Sequence, residues 1–426
     1  MSEANTPSIL THESKEDQHS PCTVDDAWSI QYHTPSAAKQ LRFTSINSIN
    51  RKIKHHENVL KYAQEQIESI RAKSNVFDFA CKYEFNVFEF IKYTNRPLLV
   101  LGMYLLTNCK IFAKLFDEGR VELSCCAHFL DLCEKLYHAN PYHNSIHATD
   151  VMQFNCILLC SQYIRSRFQD YELLAAFMSA VAHDIGHIGK NNDFLVKSKH
   201  ELALKFDNVS CLEYYHIEQF HQTMTDNSRA NWISKFDDKT QQYIIDLVEY
   251  AILGTDMGVY HNEIKKELKE KYSKQWVQQS SGRPLSSQEK QFIIRAMLHL
   301  SDISNPMRPF SICQRWTDRV NEEFFDQGDV MKQLGLEVSA GCDREKTDAI
   351  KNQGGFVMFC VKPLTALLHE LIAELDWCLK NVDANTQKWN ELKQAQEEEA
   401  QKQAEDALKA DNDSPSTTQS NLSNLS

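Results

Sequence analysis

Long stretches of this chain repeat apolar residues at i, i+3, i+4 and i+7. The clearest are DYELLAAFMSAVAHDIGH (170–187), KTQQYIIDLVEYAILGTDM (239–257) and SSQEKQFIIRAMLHLSDIS (286–304). That spacing lays a stripe along one face of a helix. Strict alternation over the length of a strand is hard to find. The run PLLVLGMYLL (97–106) is too short to span a bilayer and is followed by Asn108 and Lys110, so it reads as a buried core helix. FDFACKYEFNVFEF (77–90) carries no clear period. With only 12 Gly and 10 Pro, a turn-rich β architecture is disfavoured. An all-α domain of many helices is expected, and no internal repeat is visible.

The polarity pattern also divides the chain. Residues 1–44 are polar without sustained periodicity and read as disordered. Residues 45–74 space Ile, Leu and Tyr at helical intervals and read as a linker or surface helix. A body follows over 75–385. Residues 386–426 begin as a charged helix-former, ELKQAQEEEAQKQAEDALKA, and end in the Ser- and Asn-rich DSPSTTQSNLSNLS.

Charge and cysteine content narrow the function classes. The formal net charge of −12 speaks against a general nucleic-acid binder, because phosphate backbones are held by clustered Lys and Arg. An anionic substrate would need a local attractor, such as a metal site. Thirteen cysteines with no C-x-x-C spacing are expected to be reduced thiols in the cytoplasm. The first residues carry no basic segment ahead of an apolar core, so no secretory signal is expected, and no transmembrane segment is expected elsewhere.

Chemistry concentrates in three places. YHANPYHNSIHATDVMQ (137–153) sets His143 and His147 one helical turn apart and adds Asp150. AHDIGHIGKNN sets His183 beside Asp184, with His187 four residues beyond His183. Asp302 ends a strongly apolar helix in HLSDISNP. A lone His on an apolar face is more often a satisfied core residue. An adjacent His and Asp behind the apolar run AAFMSAVA is harder to explain by packing, since buried polar groups need partners. A shared cation would satisfy them together, and nitrogen and oxygen donors suit Zn, Mn, Fe or Mg.

The motifs resemble those of the class I cyclic-nucleotide phosphodiesterases. YHNSIHATDV is similar to the family's Tyr-His-Asn-x-x-His-Ala-x-Asp-Val signature, and HDIGHIGKNN to its His-Asp-x-x-His-x-Gly-x-x-Asn segment. LGTDM, SDISNP, WTDRVNEEFFDQGD and NQGGF follow in the family's order, and the resemblance covers about residues 75–382. It implies a compact domain of about sixteen helices with a deep pocket holding two metals. The tight site, Zn2+ in the family, maps to His147, His183, Asp184 and Asp302. Asp184 would bridge to a second ion, Mg2+ or Mn2+, whose waters are contacted by His187, Glu213 and Thr255. His143 matches the general acid, Gln353 the purine-gripping amide, Val320 and Phe356 the apolar jaws, and Asn305 a polar residue of the base pocket. Tyr142 and Asp150 are expected to orient the histidines, and Tyr142 also counts among the substrate-binding residues.

The implied reaction is hydrolysis of a 3′,5′-cyclic nucleotide to the 5′-monophosphate by a metal-bridging hydroxide, terminating a cyclic-nucleotide signal. cAMP is favoured and cGMP is allowed; a homodimer is also open. His138 and the Cys125-Cys126 pair are left outside the catalytic set, while His216 and His299 stay open between supporting the metal site and packing in the core. The chain departs from the pattern at Gly186 and Ile188, where the family has Asp and Pro, at Tyr214-Tyr215 in place of Asn-His, and at Cys313, where an aromatic residue often lines the pocket. Two alternatives stay open at this point: another His-Asp metal phosphohydrolase, which would not require Gln353 or Phe356, and a non-catalytic cyclic-nucleotide-binding or scaffold protein.

Overall fold

The computed structural model describes residues 58–412 apart from 226 and 281, with side chains as far as 406. The expectations for residues 1–44 and for the Ser- and Asn-rich tail lie outside the described residues. Among the described residues every regular element is helical, as the periodicity predicted. No helix among them is long and apolar enough to cross a membrane.

The longer helices are α1 (Val59–Arg71), α2 (Pro97–Asn108), α3 (Leu123–Leu136), α4 (Ser145–Leu159), α5 (Asp170–Ala182), α6 (Cys211–Thr225), α7 (Asp238–Leu253), α8 (His261–Lys271), α9 (Ser287–Asp302), α10 (Phe310–Gln333), α11 (Ala349–Phe356), α12 (Lys362–His369) and α13 (Asp376–Asn412). The ambiguous stretch at 77–90 resolves into a 3-10 turn, Val76–Phe79, and a single helical turn, Val87–Phe90. Phe77, Phe85, Phe88 and Phe90 are all buried there.

Four helices form the centre. α4 packs on α5, α5 on α7, α7 on α9, and α9 back on α4. In α5 every residue from Leu173 to Ala182 is buried, so this helix is apolar all round. Its start is set by a capping box between Gln169 and Glu172. α9 starts the same way, with Ser286 and Glu289. α2 lies against α4, and α1 buries Val59, Ala63, Ile67 and Ile70 against α2 and α3. α13 runs unbroken across residue 385. Its Asn381 donates to the Met307 carbonyl, and Asn385 donates to the carbonyls of Pro306 and Arg308.

The central arrangement decides where the chemistry sits. His147 lies in the first turn of α4, His183 caps the end of α5, and Asp302 is the last residue of α9. Helix ends carry unpaired backbone groups and turn sharply, so polar side chains can be gathered there without interrupting the packed interior.

Candidate active site

α4 begins where the Asn144 side chain accepts from the backbone N–H groups of Ile146 and His147. That cap holds the His147 ring, fully buried, against Asp302, with Nε2 3.0 Å from Oδ1. At the end of α5 the chain makes a tight turn through Gly186 and Gly189, both with positive φ. Tyr137 braces this turn: its hydroxyl accepts from the Asp184 N–H at 3.3 Å and donates to the Val181 carbonyl at 3.0 Å. His183 Nε2 then lies 3.2 Å from Asp184 Oδ2 and 3.3 Å from Asp302 Oδ1. His147 Nε2 is 3.6 Å from the same Asp184 oxygen.

Those four residues offer donor atoms that all lie within 4.8 Å of one another. His183 Nε2 and Asp184 Oδ2 are buried and have no hydrogen-bond partner, so their close approach is not an aligned hydrogen bond. The spacing is that of a coordination shell: metal–N and metal–O bonds of about 2.1 Å place tetrahedral donors about 3.4 Å apart. Two imidazoles and two carboxylates also suit a borderline divalent cation. Burial opposes charge on both members of the His183–Asp184 pair. Their mutual field nevertheless raises the imidazole and holds the carboxyl well below its usual range.

Around this shell the candidates divide. His216 sends Nδ1 to the Ile185 carbonyl and brings Nε2 to 3.7 Å from Asp184 Oδ1. Glu213 is buried and accepts from Asn192 Nδ2; burial, then the neighbouring Asp256 carboxylate, push its acid up to about 8. A group so placed charges readily once a cation is near. Thr255 is buried, and its hydroxyl donates to the Ile252 carbonyl. His187 stacks on His143 with ring centroids 3.9 Å apart, and burial and the His143 charge hold it neutral. His299 pairs with His261 in the core and His138 is exposed.

His143 has a partner that sequence reading did not single out. Glu323 of α10 sets Oε1 2.5 Å from His143 Nδ1, and its Oε2 accepts from the backbone N–H groups of Tyr142 and His143. Burial works against a charged His143, but Glu323 outweighs it and the ring is pushed up to about 9. A signal was present. The buried face of α10 runs Ile312, Cys313, Trp316, Thr317, Glu323, Gln327 and Met331, so two long polar side chains interrupt an apolar stripe. Gln327 has its own task, accepting from the Asn191 N–H and donating to Asn191 Oδ1, which fixes the far end of the HDIGHIGKNN loop.

Asp150 does not orient a histidine directly. Its carboxylate accepts from Arg308 Nη2 at 2.7 Å and Trp316 Nε1 at 3.1 Å, all three being buried. The Trp316 ring in turn sits edge-on to Tyr142 and His147. Asp150 lost the expected role because Arg308 is the stronger partner in a dry interior. Tyr142 packs on the His147 ring and accepts from Asn305 Nδ2. Val320, Gln353 and Phe356 are half-buried on α10 and α11. Gln353 has no side-chain partner among the described residues, so both ends of its amide are free. Cys313 is fully buried near Trp389.

Two departures from the family pattern meet in space. A Cβ on Gly186 would lie 3.0 Å from the Tyr215 ring, and Tyr215 and Ile188 pack on one satellite apolar cluster with Phe194, Leu195 and Leu202. Glycine at 186 and tyrosine at 215 are thus one steric solution.

Residues 142–382 match the family model described as 3'5'-cyclic nucleotide phosphodiesterase. The chain belongs to that family. Among relatives of this chain, a probable 3',5'-cyclic-AMP phosphodiesterase of Caenorhabditis elegans, pde-4, is 31% identical over 345 residues, covering 80% of this chain and 50% of the relative. The 3',5'-cyclic-AMP phosphodiesterase 4C of Rattus norvegicus is 29% identical over 294 residues, covering 68% and 54%. The chain therefore spans about half the length of these curated relatives. The phosphodiesterase domain of a RhoPDE fusion protein from the choanoflagellate Salpingoeca rosetta superposes with a TM-score of 0.67 at 23% identity, covering 78% of this chain and 99% of that one. At that identity the likeness concerns the fold.

Proposed function

We propose that this phosphodiesterase hydrolyses a 3′,5′-cyclic nucleotide, cAMP in preference to cGMP, to the 5′-monophosphate, in the cytoplasm. One observation carries the reading: a convergent set of metal-type donors, His147, His183, Asp184 and Asp302, with His183 Nε2 and Asp184 Oδ2 buried and unpartnered, adjoins a histidine kept protonated by Glu323. The named cAMP enzymes among the relatives support the substrate class. The twelve free cysteines among the described residues support a reducing compartment.

His147, His183, Asp184 and Asp302 would hold Zn2+, with Asp184 shared toward Mg2+ or Mn2+ near Glu213, Thr255 and His187. When bound, such ions ionise water near neutral pH and offset phosphate charge, which an acidic protein otherwise repels. His143 supplies the proton that the ribose 3′ oxygen takes as its bond to phosphorus breaks. Glu323 occupies Nδ1, so Nε2 is the nitrogen that donates. The stacked, neutral His187 covers the ring without adding charge. Gln353, with a free donor and acceptor, pairs with the purine edge; Phe356 and Val320 hold its faces; Asn305 and Tyr142 close the base pocket.

Purified full chain with magnesium should hydrolyse cAMP faster than cGMP, and His143→Ala should abolish turnover while retaining binding. Failure on both nucleotides with metal bound refutes the reading. Light scattering on the same sample tests the homodimer.

A further inference from the structure

A second cluster of donor atoms lies away from the active site and is made only of sulfur. Cys109 follows the end of α2, Cys156 and Cys160 are one turn apart at the end of α4, and Cys81 sits in the turn after the 3-10 segment Val76–Phe79. The Sγ atoms of Cys109, Cys156 and Cys160 all lie within 4.8 Å of one another. Cys109 Sγ is 3.7 Å from Cys156 Sγ and 3.6 Å from Cys81 Sγ. Cys156 is nine residues beyond His147, about 13 Å along the helix axis at 1.5 Å per residue, so this is a separate place.

Packing explains one buried thiol, which behaves as a small apolar group. It does not explain three drawn together from two segments, with a fourth, Cys81, set against Cys109 from a third. A disulfide requires sulfurs about 2.05 Å apart. A tetrahedral thiolate site with Zn–S bonds of about 2.3 Å requires an edge of about 3.8 Å, close to both measured separations. The cluster is reachable: Cys109 and Cys156 are buried, Cys160 is half-buried and Cys81 is exposed. Its outer member is also held in place. Gln153, fully buried and almost one turn before Cys156, donates from Nε2 to the carbonyls of Ala80 and Lys82, the two residues flanking Cys81.

We propose that Cys109, Cys156 and Cys160, closed by Cys81, form a thiolate site for a soft divalent cation, zinc foremost. It ties the 76–109 segment to α4, the helix whose other end carries His147. No part of this depends on the reaction proposed above.

Cobalt exchange separates this site from the active site, because nitrogen and oxygen donors give no thiolate-to-cobalt charge-transfer band. Cobalt-loaded full chain should show that near-ultraviolet band together with strong tetrahedral visible bands. Cys160→Ser should abolish it and Cys81→Ser weaken it, with circular dichroism confirming that both variants are folded. Zinc-loaded wild type should carry one more zinc than Cys160→Ser by elemental analysis. A wild type that binds cobalt without the thiolate band overturns the proposal without any variant. So does a band that survives Cys160→Ser, or a disulfide between these cysteines in protein purified without reductant. A spectrum unchanged in Cys81→Ser overturns the four-thiolate form.

Discussion

Glu323→Gln isolates the contribution of one charge to the proton donor. The amide keeps the shape of the carboxylate and can still accept from the Tyr142 and His143 backbone N–H groups, so the loop should stay in place. What disappears is the negative charge 2.5 Å from His143 Nδ1. That carboxylate is the largest influence raising His143 from 6.5 to about 9, against a burial effect that lowers it. Losing it should return the ring to about 6.5 or below, a change worth about 3.4 kcal/mol at 1.36 kcal/mol per unit. At pH 7.5 the protonated fraction then falls from about 97% to about 10%, so kcat should drop at least about tenfold. The assay is the pH profile of cyclic-nucleotide hydrolysis between pH 5.5 and about 9.5. Wild type should hold its rate through neutral pH and lose it as the ring deprotonates near pH 9. The variant should lose it from about pH 6.5 upward and recover most of the deficit at the acid end. A rate lowered equally at every pH, with the alkaline limb unmoved, would show that Glu323 acts through position and would refute the electrostatic account.

Arg308→Met should leave the Asp150 carboxylate buried without a counter-charge, its Trp316 hydrogen bond alone remaining, and cost about 3–5 kcal/mol in urea denaturation; a loss under 1 kcal/mol would mean that the pair is dispensable. Gly186→Ala forces a side chain onto positive φ and against Tyr215, so stability should fall by about 1–2 kcal/mol, with part returned by Tyr215→Leu. Zinc at a hundredfold its dissociation constant should stabilise the wild type by about 2.7 kcal/mol, and Asp302→Asn should lose much of this shift. Glu289, held at about 2 chiefly by Arg283, contributes stability that is present above its unfolded value near 4.5 and disappears as pH falls toward 2. Glu289→Gln should therefore cost about 0.5–1 kcal/mol at pH 7, allowing for solvent around Arg283, and almost nothing at the lowest pH.

Period alone determined that this is a helical protein, because a 3.6-residue stripe of apolar positions can be buried only as helix, and the runs now seen in α5, α7 and α9 were plain. The motifs likewise named His143, His147, His183, Asp184 and Asp302, since few other residue types can share a cation or move a proton near neutral pH. The 77–90 stretch was not legible: its phenylalanines serve two short turns, and neither is long enough to show a period. Charge pairing was not legible either. Glu323 is one acid among several in NEEFFD, and only the packing of α10 against the start of α4 turns it toward His143. Asp150 looked like a histidine's partner until the fold placed Arg308 beside it. The sulfur cluster was hidden for the same reason, its members lying as far apart as residues 81 and 160 with no local spacing to mark them. Local order follows from a few neighbours along the chain, which a sequence displays; which side chains meet across helices follows from how whole faces pack, and only the tertiary structure decides that.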